Sequence, residues 1–302
     1  MPRTRKREHH LNDKREKSAM HVETIPEGNG RRIERIGSDA RLPGVRHIEW
    51  HEAPVPDGDF LRLPLADIVC TINVGVVGQY RLPDERQWRP FPRIAARGIA
   101  SLSSEGRDPA AGAIGYVSVV VAPWAFPIYA GLNGAAIANR IIDLAAVSAP
   151  WRTMGDQLPR QPDGQHRIQV VATTLAHIAA TARWPVRTAR LIDAITGSAS
   201  IATIAGDVAL SPRRVHQLCV AYTGHSPSTY RQIARFGRLM RALHQHGVST
   251  PWSAHVTEYA DHSHAIREFR RLSGMTPRRY IATREKLNRT YSIVPHPDRL
   301  AC

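Results

Sequence analysis

Cysteine is scarce in this sequence, with three residues in 302, and they show neither a pairing pattern nor the short spacing of metal ligands: Cys70, Cys219 and Cys302. Such usage fits a reducing compartment, so the expected location is the cytoplasm. Long apolar runs are missing too, since no stretch approaches the ~20 residues that a membrane helix needs. The charged N-terminus is followed by no apolar segment. The sequence therefore predicts neither a membrane span nor a secretory signal.

The signatures of common catalytic and metal sites are absent as well. There is no G-x-S-x-G, no Walker-type loop and no convincing pair of acids, so neither an enzyme activity nor a cofactor is predicted. Two histidine-containing segments resemble metal sites only superficially. Between His47 and Glu52 the order matches neither H-E-x-x-H nor H-x-x-E-H. His262 and His264 lie two apart on a predicted helix and point apart, so one zinc ion would not take both.

Charge is distributed unevenly along the chain. The sequence has 41 Lys and Arg against 26 Asp and Glu, a net charge of +15. Residues 183–302 hold 18 of the basic and 7 of the acidic residues, and nearly all of these basic residues are Arg; residues 45–182 are balanced. Arg binds phosphate and guanine edges through paired hydrogen bonds. The excess charge therefore points to a nucleic acid as partner of the C-terminal part.

The first 150 residues divide into an extension and a β-rich domain. Residues 1–44 are polar, mixed in charge and interrupted by Pro and Gly, which predicts a disordered basic extension. Residues 45–150 are expected to form a small β-sandwich or barrel-like domain, which would either sense a signal or mediate association. Residues 66–74 alternate like a strand with one buried face, and residues 94–102 and 115–121 predict further strands. Residues 135–147 are expected to form a helix or a capped loop.

Helical patterns take over after residue 150. An apolar stripe through Ile168, Val171, Leu175 and Ile178 predicts an amphipathic helix, and residues 151–187 are interpreted as a helical linker. The fold class that follows is α+β, with the β-rich domain preceding an all-α C-terminal domain.

Between Ser200 and Tyr280 the sequence contains two copies of a helix, a three-residue turn and a second capped helix. In the first copy Ser200 caps a helix that ends near Asp207, Ser211 with Pro212 opens the second helix, and Gly224 ends it. Four polar side chains are left on the outside of that second helix: Arg213, Arg214, His216 and Gln217. The front of such a helix enters the major groove of DNA in helix-turn-helix proteins.

A long helix over residues 226–246 would set the spacing between the copies. The second copy starts at Thr250 and Pro251, with Ala254 and Val256 facing inward. Asp261 caps its second helix, Gly274 ends it, and Thr276 with Pro277 begins a last helix. Ile266, Phe269 and Leu272 are expected to pack inward. The other long side chains are expected to point outward: His262, Ser263, His264, Arg267, Arg270 and Arg271.

These residues resemble the AraC/XylS class of bacterial transcription regulators. The matching strings are S-P-R-R-V-H-Q-L-C, G-H-S-P-x-x-Y-R-Q-I-A-R and Y-A-D-H-S-H-A-I-R-E-F-R-R-L-S-G-M-T-P-R-R-Y. The resemblance implies a DNA-binding domain, bounded here at 188–288 and followed by a tail at 289–302. Its seven helices would place two reading helices in successive major grooves, about 34 Å apart on one face of the DNA. The β-rich domain is similar, more weakly, to an N-terminal domain carried by some of these regulators.

The resemblance also assigns roles to residues. The base-reading positions carried over by motif are Arg213, His216, Gln217, His262, Ser263 and Arg267. Arg214 joins them because it points outward from the same helix front. Phosphate contacts are predicted for two capping residues and four arginines: Ser211, Thr276, Arg270, Arg271, Arg278 and Arg279. Ion pairs with Glu268 and Glu285 are the alternative for Arg270 and Arg271.

This chain departs from the resemblance at both turns. The turns of these regulators usually hold a glycine, and Ala209 and Glu258 occupy those places here. A residue other than glycine at positive φ costs ~1 kcal/mol. The substitution predicts either a shifted turn or a less stable domain.

Together these patterns predict a sequence-specific transcription regulator associated with the nucleoid, without catalytic activity, cofactor or metal. Its partner is double-stranded promoter or operator DNA. RNA polymerase, a small-molecule effector and a second copy of the chain stay open as further partners, and no membrane is involved. Two other classes also stay open: an enzyme built on the β-rich domain, and a protein-interaction adaptor or ligand-binding protein without specific DNA recognition.

Overall fold

The computed structural model describes residues 23–26, 32–55, 61–62, 70–75, 78–82, 85–100, 105–107, 112–246, 256 and 258–282. The strands of this part lie before residue 144, and helices prevail after residue 125. This order confirms the predicted fold class, a β-rich N-terminal part followed by a helical C-terminal part.

Eleven strands are described, and seven of them form one antiparallel sheet in the order β1-β2-β3-β10-β5-β8-β11. Four short strands form a second sheet in the order β4-β9-β6-β7. The bounds are β1 (Glu23–Pro26), β2 (Arg32–Ile36), β3 (Val45–Val55), β4 (Leu61–Arg62), β5 (Cys70–Val74), β6 (Gln79–Arg81), β7 (Arg89–Pro90), β8 (Ile94–Arg97), β9 (Glu105–Arg107), β10 (Gly112–Val121) and β11 (Ile141–Asp143).

The predicted strands are found at β5, β8 and β10, although each differs in length from its prediction. Residues 66–69 and 101–102, which the predictions included, lie outside the described residues. The segment over 135–147 is neither one helix nor one loop. It contains a short helix, strand β11 and a second short helix.

The prediction of a disordered extension over residues 1–44 is wrong for the second half of that segment. Strand β2 pairs with β3, and β1 pairs with β2. Ile33 and Ile36 of β2 are buried in the core, as is Leu42 after it. Because these strands form by pairing with one another and with β3, the local composition, rich in charge and glycine, concealed them. Residues 1–22 lie outside the described part.

Ten helices are described, together with a short 3-10 helix at Leu158–Arg160 and a helical start over residues 277–282. They are α1 (Phe126–Ala130), α2 (Gly134–Ile137), α3 (Leu144–Val147), α4 (Ala149–Gln157), α5 (Gly164–Thr181), α6 (Val186–Ile195), α7 (Ile201–Asp207), α8 (Pro212–Thr223), α9 (Pro227–His246) and α10 (His262–Ser273).

Helix α5 belongs to the N-terminal domain and is not part of a linker. It packs against β2, β3 and β10, and its predicted stripe residues Ile168, Val171 and Leu175 are fully buried. The approach is close at its first residue: a Cβ on Gly164 would lie 2.2 Å from Cδ1 of Trp50. The prediction of a linker over 151–187 is therefore wrong for α5. This helix is the last part of the N-terminal core, because its apolar face covers the sheet.

The C-terminal half follows the predicted helices closely. The observed bounds of α7 and α9 agree with the predictions, and Val256 is buried as expected. Gly247, Thr250, Pro251 and Ala254 lie outside the described residues.

The turn between α7 and α8 holds its non-glycine residue in the left-handed region. Ala209 has φ of 49°, and the amides of Ala209 and Leu210 bond back to the carbonyls of Gly206 and Ala205. This hydrogen-bond pattern ends a helix with a left-handed residue, usually glycine. The turn therefore places Ala209 in the conformation that favours glycine, and the lower stability expected from this residue stays a prediction.

We expect Ala209→Gly to raise the free energy of unfolding by about 0.5–1 kcal/mol. Relief of the left-handed strain, ~1–2 kcal/mol, outweighs the extra entropy of an unfolded glycine, ~0.5–1 kcal/mol. Denaturant unfolding measures the change. The matched control is Ala202→Gly on the exposed side of α7, which should instead cost ~1 kcal/mol. Equal decreases in the free energy of unfolding for both variants would contradict the presence of backbone strain at Ala209.

Candidate nucleic-acid interface

Serine caps fix where both helices of the first pair begin. The Ser200 hydroxyl accepts a hydrogen bond from the Thr203 amide (3.0 Å). The Ser211 hydroxyl accepts one from the Arg214 amide (3.2 Å), with Pro212 at the first position of α8. Both predicted caps are confirmed. Each satisfies an amide that the start of a helix leaves without an intrahelical partner.

The exposed side of α8 carries the residues predicted to read bases. Val215 and Cys219 are buried beneath it, and burial raises the pKa of the Cys219 thiol to about 11. All four predicted readers on this helix are exposed: Arg213, Arg214, His216 and Gln217. Arg214 donates to the Gln217 side chain (3.3 Å), which places both side chains on one patch of the helix front.

Helix α10 repeats this arrangement in the second unit. The Asp261 carboxylate accepts a hydrogen bond from the His264 amide (2.7 Å), which confirms the predicted cap. That backbone hydrogen bond lowers the pKa of Asp261, because it favours the ionised carboxylate. The predicted readers of this helix are exposed: His262, Ser263 and Arg267.

The predicted inward packing of Ile266 is wrong. Ala265, Phe269 and Leu272 form the buried stripe of α10, whereas Ile266 is 42% exposed. The stripe starts one residue earlier than the pattern of large apolar residues indicates, since small Ala265 occupies the inward position. His264, expected on the surface, is half-buried, with its ring 5.7 Å from that of Tyr259.

The residues predicted to touch phosphate lie at helix starts and on exposed surface. The Thr276 hydroxyl accepts a hydrogen bond from the Arg279 amide (3.3 Å) at the start of the last helix. The four predicted arginines are all exposed: Arg270, Arg271, Arg278 and Arg279. Arg271 donates to the Gln232 side chain of α9 (2.9 Å), and not to Glu268.

Arginines of α9 hold the end of α6. Arg231 donates to the carbonyls of Ile195 (3.0 Å) and Ala199 (2.7 Å). Arg238 donates to the carbonyl of Thr196 (3.2 Å). The carbonyls at a helix C-terminus have no intrahelical donors, so these cations satisfy them and complement the helix dipole.

Two further ion pairs fasten the second unit to α9. Arg235 donates two hydrogen bonds to the buried Glu268 of α10, at 3.1 and 2.6 Å, and its guanidinium stacks 4.6 Å from the Tyr259 ring. Arg238, which also binds the end of α6, pairs with Glu258 at 2.6 Å. The partner of Glu268 is thus Arg235 of α9, which was not predicted from the sequence. The available signal was an acid within the buried stripe of α10, facing a helix rich in arginine.

The N-terminal domain contacts the first unit through α2 and the end of α8. A Cβ on Gly134 of α2 would lie 2.4 Å from the backbone of Tyr222, so the two helices meet backbone to backbone. The buried His225 ring completes the contact, with its Nε2 3.2 Å from the carbonyl of Ile99. Because a carbonyl only accepts, Nε2 carries the proton.

The N-terminal sheet also contains a buried polar cluster on alternate residues of β3. The Glu49 carboxylate accepts a hydrogen bond from Arg35 (2.7 Å), and its other oxygen lies 3.0 Å from Nε2 of His51. Nε2 of His47 lies 3.9 Å from the same carboxylate. Ile48 and Trp50, on the other face of the strand, belong to the apolar core.

Within the described ranges, no group of three or more His, Cys, Asp or Glu side chains is arranged to hold a metal ion. None of the helices described is both long and apolar enough to cross a membrane.

Comparison with known proteins agrees with this geometry. Residues 187–283 match a family model described as a helix-turn-helix domain. No curated protein matches the chain in sequence.

Among solved structures, ToxT from Vibrio cholerae O395 is similar with 8% identity and a TM-score of 0.42, over 78% of this chain and 97% of that one. The unsaturated-fatty-acid-bound ToxT from Vibrio cholerae strain SCE256 has 7% identity and a TM-score of 0.41, over 78% and 94%. The AraC-like transcriptional activator CuxR has 16% identity and a TM-score of 0.27, over 73% and 86%.

In the part of the chain that the structure describes, one capped helix pair, α7 and α8, is followed by the long helix α9 and by the capped helix α10. The family match over residues 187–283 identifies the C-terminal part of the chain as a helix-turn-helix domain.

Loss of the Arg235–Glu268 pair is expected to destabilise the domain. Removing one partner of a buried ion pair leaves the other uncompensated, a cost of ~3–5 kcal/mol. Because Arg235 is partly exposed, we expect Glu268→Ala to lower the free energy of unfolding by about 2–3 kcal/mol in denaturant titrations. Arg270→Ala, on the exposed side of the same helix, is the control and should change it by less than ~0.5 kcal/mol. Similar values for both variants would show that the pair contributes little.

The contact at His225 is expected to weaken in acid. Burial lowers the pKa of His225, although the Ile99 carbonyl partly offsets this. Below the ordinary histidine pKa of ~6.5, His225 gains a proton in the unfolded chain, whereas burial disfavours that proton in the folded protein. The free energy of unfolding therefore decreases as the pH is lowered, by at most ~1.4 kcal/mol per pH unit.

Unfolding titrations between about pH 5 and pH 7.5 test this pH dependence. Wild type should lose more stability on acidification than His225→Gln, which does not titrate. His216→Gln, exposed on α8, should keep the wild-type slope. Parallel slopes for wild type and His225→Gln would contradict the assignment.

Proposed function

We propose that this protein is a DNA-binding transcription regulator that reads two successive major grooves of promoter or operator DNA with the fronts of α8 and α10. The observation that carries the proposal is the equivalence of the two fronts. Each begins at a side-chain cap, exposes arginine and other hydrogen-bonding side chains, and belongs to a unit fastened to α9. Donors and acceptors at the start of a groove-bound helix are the groups that distinguish base pairs.

The chemistry of each exposed side chain suggests its target. Arg213 and Arg267 suit the paired acceptors of guanine, and Gln217 suits the donor and acceptor of adenine. Three further side chains offer hydrogen bonds of either direction to base edges: His216, His262 and Ser263. Arg214, held beside Gln217, completes the reading set on α8.

Phosphate contacts would set the register of the domain on DNA. The capped starts of α8 and of the last helix, at Ser211 and Thr276, present backbone amides to an anion. Arg278 and Arg279 lie beside the second of these starts, and Arg270 and Arg271 lie on exposed α10. Such contacts carry affinity and salt dependence but little sequence information.

The N-terminal domain would be the regulatory half. It touches the end of α8 through α2 and His225, away from the front that reads DNA. A small-molecule effector bound to this domain, a second copy of the chain or RNA polymerase would reach the first unit through that contact. The domain is thereby proposed to adjust binding and not to catalyse a reaction.

Binding to duplex DNA at several salt concentrations tests the two classes of contact. With ~6 phosphate contacts the affinity should fall with a log–log slope near −5. Arg267→Ala should cost ~1–3 kcal/mol on the preferred site and relax the preference at one base pair. Arg278→Ala should weaken all sequences alike and reduce the salt slope by ~1. The opposite pattern would mean that the two roles are exchanged, and a flat salt series would refute DNA binding of this kind.

A further inference from the structure

The reading front of α10 contains one large apolar side chain. Ile266 is 42% exposed, and the helical repeat places it one turn after His262 and one turn before Arg270. Ser263 and Arg267 flank it on the same exposed side. Among the described residues, the other large apolar side chains of comparable exposure are Val147 and Val186, which lie on α3 and α6.

Packing does not explain why an apolar residue occupies this position. The stripe that α10 buries consists of Ala265, Phe269 and Leu272, and the acid Glu268 on that side is bound by Arg235. Ile266 therefore contributes its side chain to the surface that the neighbouring polar residues form. A polar residue there would cost the fold nothing, whereas an isoleucine exposes apolar area to water.

The major groove offers one apolar group for such a side chain to contact, the C5-methyl of thymine. Polar readers distinguish base pairs by donors and acceptors, and they do not bury this methyl. An aliphatic side chain between His262 and Arg267 would bury it while its neighbours bond to adjacent base edges.

We propose, resting on the proposed function, that Ile266 is a specificity-determining residue that recognises a thymine methyl group in the half-site read by α10. Burial of one methyl is worth about fourfold in affinity, which corresponds to ~0.8 kcal/mol. The preference it creates is for thymine over cytosine and over uracil at a single position.

The experiment first selects binding sites from random duplexes with wild type and with Ile266→Ala. The variant should lose a thymine preference at one position in one half-site and retain the others. Replacing that thymine by deoxyuridine removes only the methyl. Wild type should then bind about fourfold more weakly, and Ile266→Ala should bind both duplexes equally.

Val186→Ala is the matched control, because it trims an exposed apolar residue outside the reading helices. It should keep the wild-type response to deoxyuridine. Thermal melting of both variants checks that they fold as wild type does.

Two results would overturn the inference in distinguishable ways. If Ile266→Ala keeps every thymine preference and every response to deoxyuridine, the methyl contact is refuted while sequence-specific binding stands. If wild type selects no sequence at all, the proposed function fails and the methyl contact fails with it.

Discussion

The pairing of Arg235 with the buried Glu268 is the interaction on which the position of α10 depends. Glu268 lies inside the domain, where an unpaired carboxylate would be costly, and both of its oxygens are bonded by one guanidinium. A bidentate pair restricts distance and angle together. The exposed side of α10 is therefore oriented by a contact on its opposite side. Arg238 extends the restraint, since it binds Glu258 of the second unit and the end of α6.

Helix α9 is thus more than a spacer between α8 and α10. Its arginines contribute to the basic excess of the C-terminal half, yet three of them are engaged with carbonyls and carboxylates of the protein: Arg231, Arg235 and Arg238. The basic residues to which a phosphate contact is assigned here by prediction lie on α10 and the last helix, and those to which base reading is assigned lie on α8 and α10. Net charge alone therefore overstates the phosphate-binding surface. The N-terminal domain meets the end of α8 that lies opposite its cap, so the same helix can be held there without covering its reading front.

Features determined locally were predictable from sequence. Ser200, Ser211 and Asp261 cap helices as expected, because a cap needs only a side-chain oxygen and an amide three residues later. Features determined by distant partners were not predictable. Strand β2 exists because β3 pairs with it, and α5 joins the N-terminal core because the sheet covers its apolar face. The unusual turn at Ala209 was expected because of the resemblance to turns that contain glycine. The conformational preference of alanine alone would not have indicated it.

Two residues of α10, two positions apart, are inverted relative to the usual arrangement of apolar residues inside and charged residues outside. Apolar Ile266 faces outward and charged Glu268 faces inward. An apolar residue in place of Glu268 would fill the core but would not hold α10 at one angle to α9, whereas the ion pair does. A polar residue in place of Ile266 would suit water but would offer nothing to an apolar group in the groove. Local rules tend to fail where function imposes another requirement. Here both departures concern one reading helix, one through its orientation and the other through the surface that it presents.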